Sequence, residues 1–179
     1  MTTTSQSRET LFRGHQNLVQ LEGKYLTFKL DEEEYGLEIL KVQEIVKMMS
    51  ITRVPRTPLF IRGVVNLRGK VIPVIDIRLK FEMPTVPETE KTCIIVAQVQ
   101  KQDSLVTMGL IVDEVCEVQF LRADQIEPAP EFGAALDTAF ILGMGKVETK
   151  VLTLLDVDRV LSTDDLTAAE KARQTHSAN

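Results

Sequence analysis

Few side chains in this sequence are of a type and spacing that would support catalysis. The two histidines, His15 and His176, lie near the two ends, where chains tend to fray. That nearly removes Ser-His-Asp, Cys-His and His-ligated zinc chemistry. Cys93 and Cys116 stand 23 residues apart, too few for a disulfide scaffold or an all-cysteine zinc site. Cys93 sits in an apolar run, where a thiol behaves as a small inert hydrophobe. Cys116 is flanked by Glu114 and Glu117, a setting that raises rather than lowers a thiol pKa. Asp76 and Asp156 each interrupt an apolar run, and in duplicated β-units such an aspartate more commonly caps a turn or accepts backbone N–H bonds. There is no phosphate-cradling glycine loop, and Gly143-Met144-Gly145 is too short to count as one. The residues offer no enzyme, no metal site and no cofactor.

Composition and charge point to binding instead. The chain has 179 residues, 44% apolar and 26% charged, the proportions of a globular protein able to bury its own core. No apolar run approaches the ~18 residues of a membrane span, and the N-terminus has no signal-like core, so a soluble cytoplasmic protein without membrane insertion is expected. The net charge is −5. Between Lys41 and Lys80, however, nine basic residues face two acidic ones, a local +7 that leaves −12 for the remainder. Nucleic acid is a poor match for this stretch: its only aromatic residue is Phe60, and the chain has no tryptophan, whereas single-strand binders interleave aromatics with cations. A solvated basic surface and a docking site for an acidic protein partner both remain open.

The elements that must position these groups are strands. Leu26, Phe28 and Leu30 alternate with Tyr25, Thr27 and Lys29, the period of a half-buried strand. Asp31–Glu34 makes a turn, and Tyr35–Ile39 returns. Val71–Ile77 and Cys93–Val99 are β-branched and too short for ordinary helices. Leu105–Val112 follows a turn at Gln102-Asp103-Ser104, and Val147–Val157 reads as a last hairpin around Thr149. About ten short strands argue for an all-β barrel or sandwich. Pro73 belongs at a strand start or a sheet edge, because it cannot donate to a ladder. Single helical turns are expected at Leu40–Glu44 and Val157–Leu161. Residues 1–22, with at most a short helix around Leu11–Leu21, and 162–179, with an Ala-rich helix of little apolar face over Thr163–Asn179 after the candidate cap Ser162, read as tails outside the core.

The chain also repeats itself. Gly36-Leu37-x-Ile39-x-x-Val42-x-Glu44-Ile45 returns as Gly109-Leu110-x-Val112-x-x-Val115-x-Glu117-Val118, an offset of 73. Phe60-Ile61-x-Gly63 returns as Phe140-Ile141-x-Gly143, and Val71–Ile77 as Val151–Val157, both at offset 80. Two units of ~65–70 residues follow, each with about five strands, the size of a small SH3-like barrel. Gly36 and Gly109 then mark bulges or close-packing points. Two packed barrels leave a groove between them, a common place for partners. Asn66-Leu67-Arg68-Gly69-Lys70 separates two apolar runs and should form a hairpin tip, with Arg68 facing solvent and Gly69 supplying the unusual backbone angle. One apolar residue of Leu40–Ile45 is left facing out, and pattern alone does not say which.

Three stretches carry a family resemblance: Tyr35-Gly36-Leu37-Glu38-Ile39-Leu40-Lys41-Val42-Gln43-Glu44-Ile45, Thr57–Gly69 with its Asn-Leu-Arg-Gly turn, and Ile72-Pro73-Val74-Ile75-Asp76-Ile77-Arg78. With the loop Pro128-Ala129-Pro130-Glu131-Phe132, they closely resemble the CheW family of chemotaxis coupling proteins, over about Lys24 to Leu161. The resemblance implies two intertwined five-stranded SH3-like barrels with short helical turns. Subdomain 1 would span about 23–85 and subdomain 2 about 90–155, with the last strands and helix packing back on subdomain 1. It implies a non-enzymatic adaptor, monomeric on its own, linking cytoplasmic chemoreceptor tips to the histidine kinase CheA. The receptor's helical hairpin would dock between the barrels at Val42, Gly63, Arg68 and Gly109. The kinase's regulatory domain would pair with the first subdomain around Glu44, Ile45 and Arg62, and the second subdomain would meet the other end of a regulatory domain, closing rings. The alternative is a paralogous scaffold or regulatory module of a non-flagellar chemosensory pathway.

Overall fold

The computed structural model describes residues 18–130 and 139–177. The alternating segments form strands, and the all-β expectation holds. The described strands are β1 Gly23–Leu30, β2 Glu33–Glu38, β3 Val42–Lys47, β4 Ile61–Leu67, β5 Lys70–Asp76, β6 Cys93–Lys101, β7 Ser104–Val112, β8 Glu114–Leu121, β9 Ile126–Glu127, β10 Ile141–Val147 and β11 Lys150–Leu155. Helical turns α1 (Ile77–Lys80) and α2 (Val157–Val160) follow β5 and β11, and a longer helix, α3, covers Thr163–Ser177. The turn expected over Leu40–Glu44 is a 3-10 turn at Ile39–Lys41, and Val42 already belongs to β3. Four tight hairpins, β1–β2, β4–β5, β6–β7 and β10–β11, carry two-residue loops whose first residues, Asp31, Arg68, Gln102 and Glu148, all have positive φ. Gly69 follows Arg68 with φ 88°, so this tip has the type I′ geometry that matches strand twist.

The repeat in the sequence is visible in the sheets, with an exchange. One sheet has the order β3-β6-β7-β5-β4, the other β8-β1-β2-β11-β10-β9. The first repeat supplies β1 to β5, the second β6, β7, β8, β10 and β11, so each repeat's opening hairpin lies in the other repeat's sheet. The central parallel ladders are equivalent: Val74 faces Gly109 in one, Leu154 faces Gly36 in the other. A division of the chain near residues 85–90 therefore runs through both sheets, not between them. Each sheet keeps a small core of its own, built on Val65, Ile72, Val74, Ile94 and Ile111 in one and on Tyr25, Leu121, Leu152 and Leu154 in the other. The largest cluster, with Phe28, Leu37, Ile95, Leu110 and Leu155, draws on both sheets.

Two expectations are corrected by packing. Pro73 lies inside a central strand, because β5 is flanked by both β4 and β7. Its partner on β4, Val64, gives its own N–H and C=O to Thr52 at 2.9 Å each. The Val64–Pro73 pair therefore exchanges no bonds, and the donor that proline lacks is one β4 never needed. The C-terminal segment is also no tail. Leu166, Ala169 and Ala172 recur at three-residue spacing on α3 and are buried against β4, β5 and the main core. Two of these three residues are alanines, too weakly apolar to stand out in sequence. Ser162 caps this helix as expected: its Oγ accepts from the Asp165 N–H and its own N–H donates to Asp165 Oδ2. At the other end, residues 18–21 are helical, and Leu18 and Leu21 pack on the Tyr25–Leu121 cluster. The remainder of the Leu11–Leu21 helix, like Glu131 and Phe132, lies outside the described residues.

Long-range ion pairs resolve the charge asymmetry. Lys41 pairs with Asp158, Arg62 with Asp76, Arg68 with Glu44, Arg78 with Asp31 and Asp113, and Lys80 with Asp165. Five of the nine basic residues between Lys41 and Lys80 are thus neutralised, mostly by acids far away in sequence. Arg78 is buried. It donates to Asp31 at 2.6 Å, to Asp113 at 2.5 Å and to the Pro84 carbonyl at 3.0 Å. Burial works against its charge, but the bond to Asp31 and the field of Asp113 outweigh it, and its pKa is raised. The equivalent residue in the second repeat, Asp158, has the opposite charge and binds Lys41 and the Gln100 N–H. Each exchanged hairpin is thus fastened, through Asp31 or Gln100, to the helical turn that follows its own repeat's last strand in the other sheet.

Candidate functional site

The sequence-predicted site residues fall into three settings. The first is the exposed edge formed by β3 and the β4–β5 tip. Glu44 Oε1 accepts from Arg68 Nη2 at 2.5 Å. The Arg68 side chain is 71% exposed, while Glu44 is mostly covered. The tip is shaped for this: Asn66 Oδ1 accepts the Gly69 N–H, and Arg68 itself adopts φ 51°. Along β3, Val42, Glu44 and Val46 are half-buried and alternate with exposed Gln43, Ile45 and Lys47. Val42 packs against the main core. The outward apolar residues are Leu40, 93% exposed in the 3-10 turn, and Ile45, 44% exposed. Glu44 and Arg68, expected from the resemblance to serve different partners, thus meet in one ion pair.

Arg62 stands apart, on β4, at the other edge of the same sheet. Its Nη1 donates to Asp76 Oδ2 at 3.2 Å, and Glu88 lies 3.9 Å from Nη2. Asp76 is almost fully buried, and its other oxygen caps α1 by accepting from the Arg78 and Leu79 amides. Asp156 caps α2 in the same way, accepting from the Asp158 amide. Both aspartates therefore have the capping role read from the repeat.

Gly63 and Gly109 are buried. A Cβ on Gly109 would lie 2.8 Å from Ile94 Cγ2 and 3.3 Å from Val74 Cγ2, across the parallel ladder. Gly63 has φ 143°, sits at a register shift, and lets the Thr52 backbone cross β4 so closely that a Cβ would lie 2.1 Å from the Thr52 carbonyl oxygen. Neither can touch a partner with a side chain; each sets the path of the backbone around the site.

The second repeat presents a related edge. Val118 on β8, the repeat equivalent of Ile45, is about half exposed, as is Phe120. The recurrence of Glu44-Ile45 as Glu117-Val118 is the signal from which this edge could have been found; Phe120 and Leu40 leave no comparable mark. Both thiols are pushed up, Cys93 by burial, Cys116 by partial burial and then by Glu34 and Glu114. Among the described residues, no group of three or more His, Cys, Asp or Glu side chains is placed to hold a metal ion, and no helix is long and apolar enough to cross a membrane.

The comparisons with known proteins agree with this geometry. The family model for the CheW-like domain matches residues 24–165. The chain is 40% identical over 153 residues to the chemotaxis protein CheW of Klebsiella aerogenes, covering 86% of this chain and 90% of that protein. It is 35% identical over 147 residues to the CheW of Bacillus subtilis, covering 82% and 91%. The crystal structure of the scaffolding protein TtCheW from Thermoanaerobacter tengcongensis superposes with a TM-score of 0.71 at 38% identity, covering 80% of this chain and 95% of that one. Two sheets with exchanged hairpins, an Asn-Leu-Arg-Gly tip ion-paired to Glu44 on the opposite edge strand and similarity over most of the length lead to one conclusion: this chain belongs to the CheW family of chemotaxis scaffold proteins.

Proposed function

We propose that this chain is a non-enzymatic, cytoplasmic adaptor that couples the signalling tips of methyl-accepting chemoreceptors to the histidine kinase CheA and is drawn to receptor arrays at the membrane. The observation that carries the reading is the exposed Glu44–Arg68 ion pair, flanked by outward Leu40 and Ile45, in a chain of this family. An exposed cation beside apolar side chains is a surface suited to a helical hairpin, and the free edge of β3 is suited to pairing with a barrel. Arg68 would face the receptor, with half-buried Val42 supporting that surface from within and Gly63 and Gly109 shaping the backbone behind it. Glu44, Ile45 and Arg62 would face the kinase. The similar edge at Val118 and Phe120 supports a second kinase-facing contact.

Co-sedimentation of purified CheA with receptor-containing membranes, with and without this protein, tests the reading. The kinase should pellet only when the protein is present, and Arg68→Glu should prevent it. An exposed ion pair stabilises a fold by only about 0.2–1 kcal/mol, so the variant should stay folded. A Tm fall beyond ~5 °C would make Arg68 structural instead. If the protein binds CheA in solution but brings none to membranes, the receptor assignments fail, and a regulatory module of another pathway becomes the better description.

A further inference from the structure

The parallel ladder between β5 and β7 stops early. Only Val74–Gly109, Ile75–Leu110 and Asp76–Ile111 are paired, although β5 begins at Lys70 and β7 at Ser104. The equivalent ladder, β11 on β2, runs two pairs further toward the hairpin tips, through Thr153–Tyr35 and Leu152–Glu34. Beyond them Lys150 Nζ donates to Glu34 at 3.1 Å.

The sequence explains the difference. Thr153 in the second repeat is Pro73 in the first. Pro73 turns its backbone toward β7, as its non-bonding pair with Val64 requires. An amide there would reach the Thr107 carbonyl and continue the ladder; proline has none. The counterpart of Glu34 is Thr107, so Lys70, the counterpart of Lys150, has no ion partner among the described residues.

The strands therefore diverge around an open slot of about 900 Å³, walled by Lys70–Ile72 on one side, Leu105–Thr107 on the other, and Glu170 and Arg173 of α3. Alternation from the hairpin ends directs the amide and carbonyl of Val71, Leu105 and Thr107 into it. Such unpaired edges are what an added strand bonds to. The rim carries Lys70, Lys101 and Arg173 against Asp103 and Glu170, and Glu170 is held by Arg173 at 3.2 Å. Lys101, like Lys70, has no ion partner among the described residues. Leu105, 58% exposed, adds an apolar contact.

We propose that this slot is a strand-addition site for a short extended peptide bearing carboxylates, with about four of its residues between β5 and β7. The assignment does not depend on the adaptor reading.

A fluorescein-labelled hexapeptide of alternating valine and glutamate is the probe, titrated against the full chain by anisotropy, with amide hydrogen exchange read in parallel. Exchange at Leu105 and Thr107 should be fast in the free protein and slowed by the peptide. Backbone N-methylation of the peptide removes its donors and should weaken binding about tenfold or more. A lysine-for-glutamate peptide should bind less well, as should the original peptide to Lys70→Glu/Lys101→Glu. Pro73→Thr combined with Thr107→Glu should zip the slot as in the second repeat and abolish binding. Amides already protected in the free chain, no binding of the acidic peptide at millimolar concentration, or equal binding of the N-methylated peptide would each overturn the proposal.

Discussion

Gly63→Ala gives a sharp test of how the fold supports the site. The new Cβ would stand 2.1 Å from the Thr52 carbonyl oxygen, 2.7 Å from its carbon and 2.9 Å from Ile51 Cγ2. Backbone atoms cannot rotate out of the way as a side-chain tip can, so the Thr52 crossing must lift off β4. That breaks the two reciprocal bonds between Thr52 and Val64, each 2.9 Å long, a loss of roughly 1 kcal/mol apiece. Holding alanine at φ 143° adds about 1–3 kcal/mol of strain. The expected total is about 3–5 kcal/mol, or a Tm fall of ~10 °C or more for a chain of this length. Gly69→Ala is the control: it has φ 88° but nothing within 4 Å of the added methyl, so it should show strain alone, about 1 kcal/mol. Thermal unfolding by circular dichroism would measure both, with hydrogen exchange reporting the Thr52 and Val64 amides. A Gly63→Ala Tm within ~3 °C of wild type, with those amides still protected, would refute the reasoning.

Three further outcomes are expected. Arg78→Met leaves Asp31 and Asp113 without their cation; removing one partner of a buried pair destabilises by about 3–5 kcal/mol, and because Asp31 is half exposed a value near 3 kcal/mol is expected in urea unfolding, with a loss below ~1 kcal/mol counting against the fastening role. Burial opposes the charge of Asp165, but bonds from Lys80 and the Ser162 amide outweigh it and hold its pKa below the ordinary 3.8. Its contribution is therefore complete above about pH 4 and lost as pH falls through the lower folded value; Asp165→Asn should destabilise at pH 7 and flatten the stability profile below pH 4, and an unchanged profile would show that α3 is anchored elsewhere. Reversing one charge of the Glu44–Arg68 pair should weaken partner binding, while Glu44→Arg combined with Arg68→Glu should restore the pair without restoring charge-specific partner contacts; full recovery in the co-sedimentation assay would mean the pair acts only within the chain.

How much was legible in the sequence depends on the range of the interaction. Strand positions followed from alternation at Leu26–Leu30 and from β-branched runs at Val71–Ile77 and Cys93–Val99, because the pleat imposes its period residue by residue. The Arg68–Gly69 tip, the Asp76 and Asp156 caps and the Ser162 cap involve neighbours one to three positions away, and each was read correctly. The burial of α3, not the helix itself, was illegible, because its buried face is made largely of alanine. Pro73 was misplaced because the rule barring proline from central strands assumes both of its edges are bonded, and whether they are is decided by Thr52 and β7. The exposure of Leu40 rather than Val42 likewise depends on where β3 meets the main core.

The sequence by itself determined an all-β chain, its two-fold repeat, the turns and caps and, through motifs spread over most of its length, its family. Those features rest on local sterics and short-range hydrogen bonds, which every copy of a pattern carries with it. Tertiary packing alone sets that the repeats exchange their opening hairpins, that Lys41, Arg78 and Lys80 of the basic stretch are paired with distant Asp158, Asp31, Asp113 and Asp165, that Arg68 is held by Glu44, and that one parallel ladder is zipped while its counterpart stands open. Each of these is a pairing between groups far apart in the chain. Hydrophobic pattern states that a residue will be buried or a charge matched; it does not state by whom, because that is set by the packing of whole sheets.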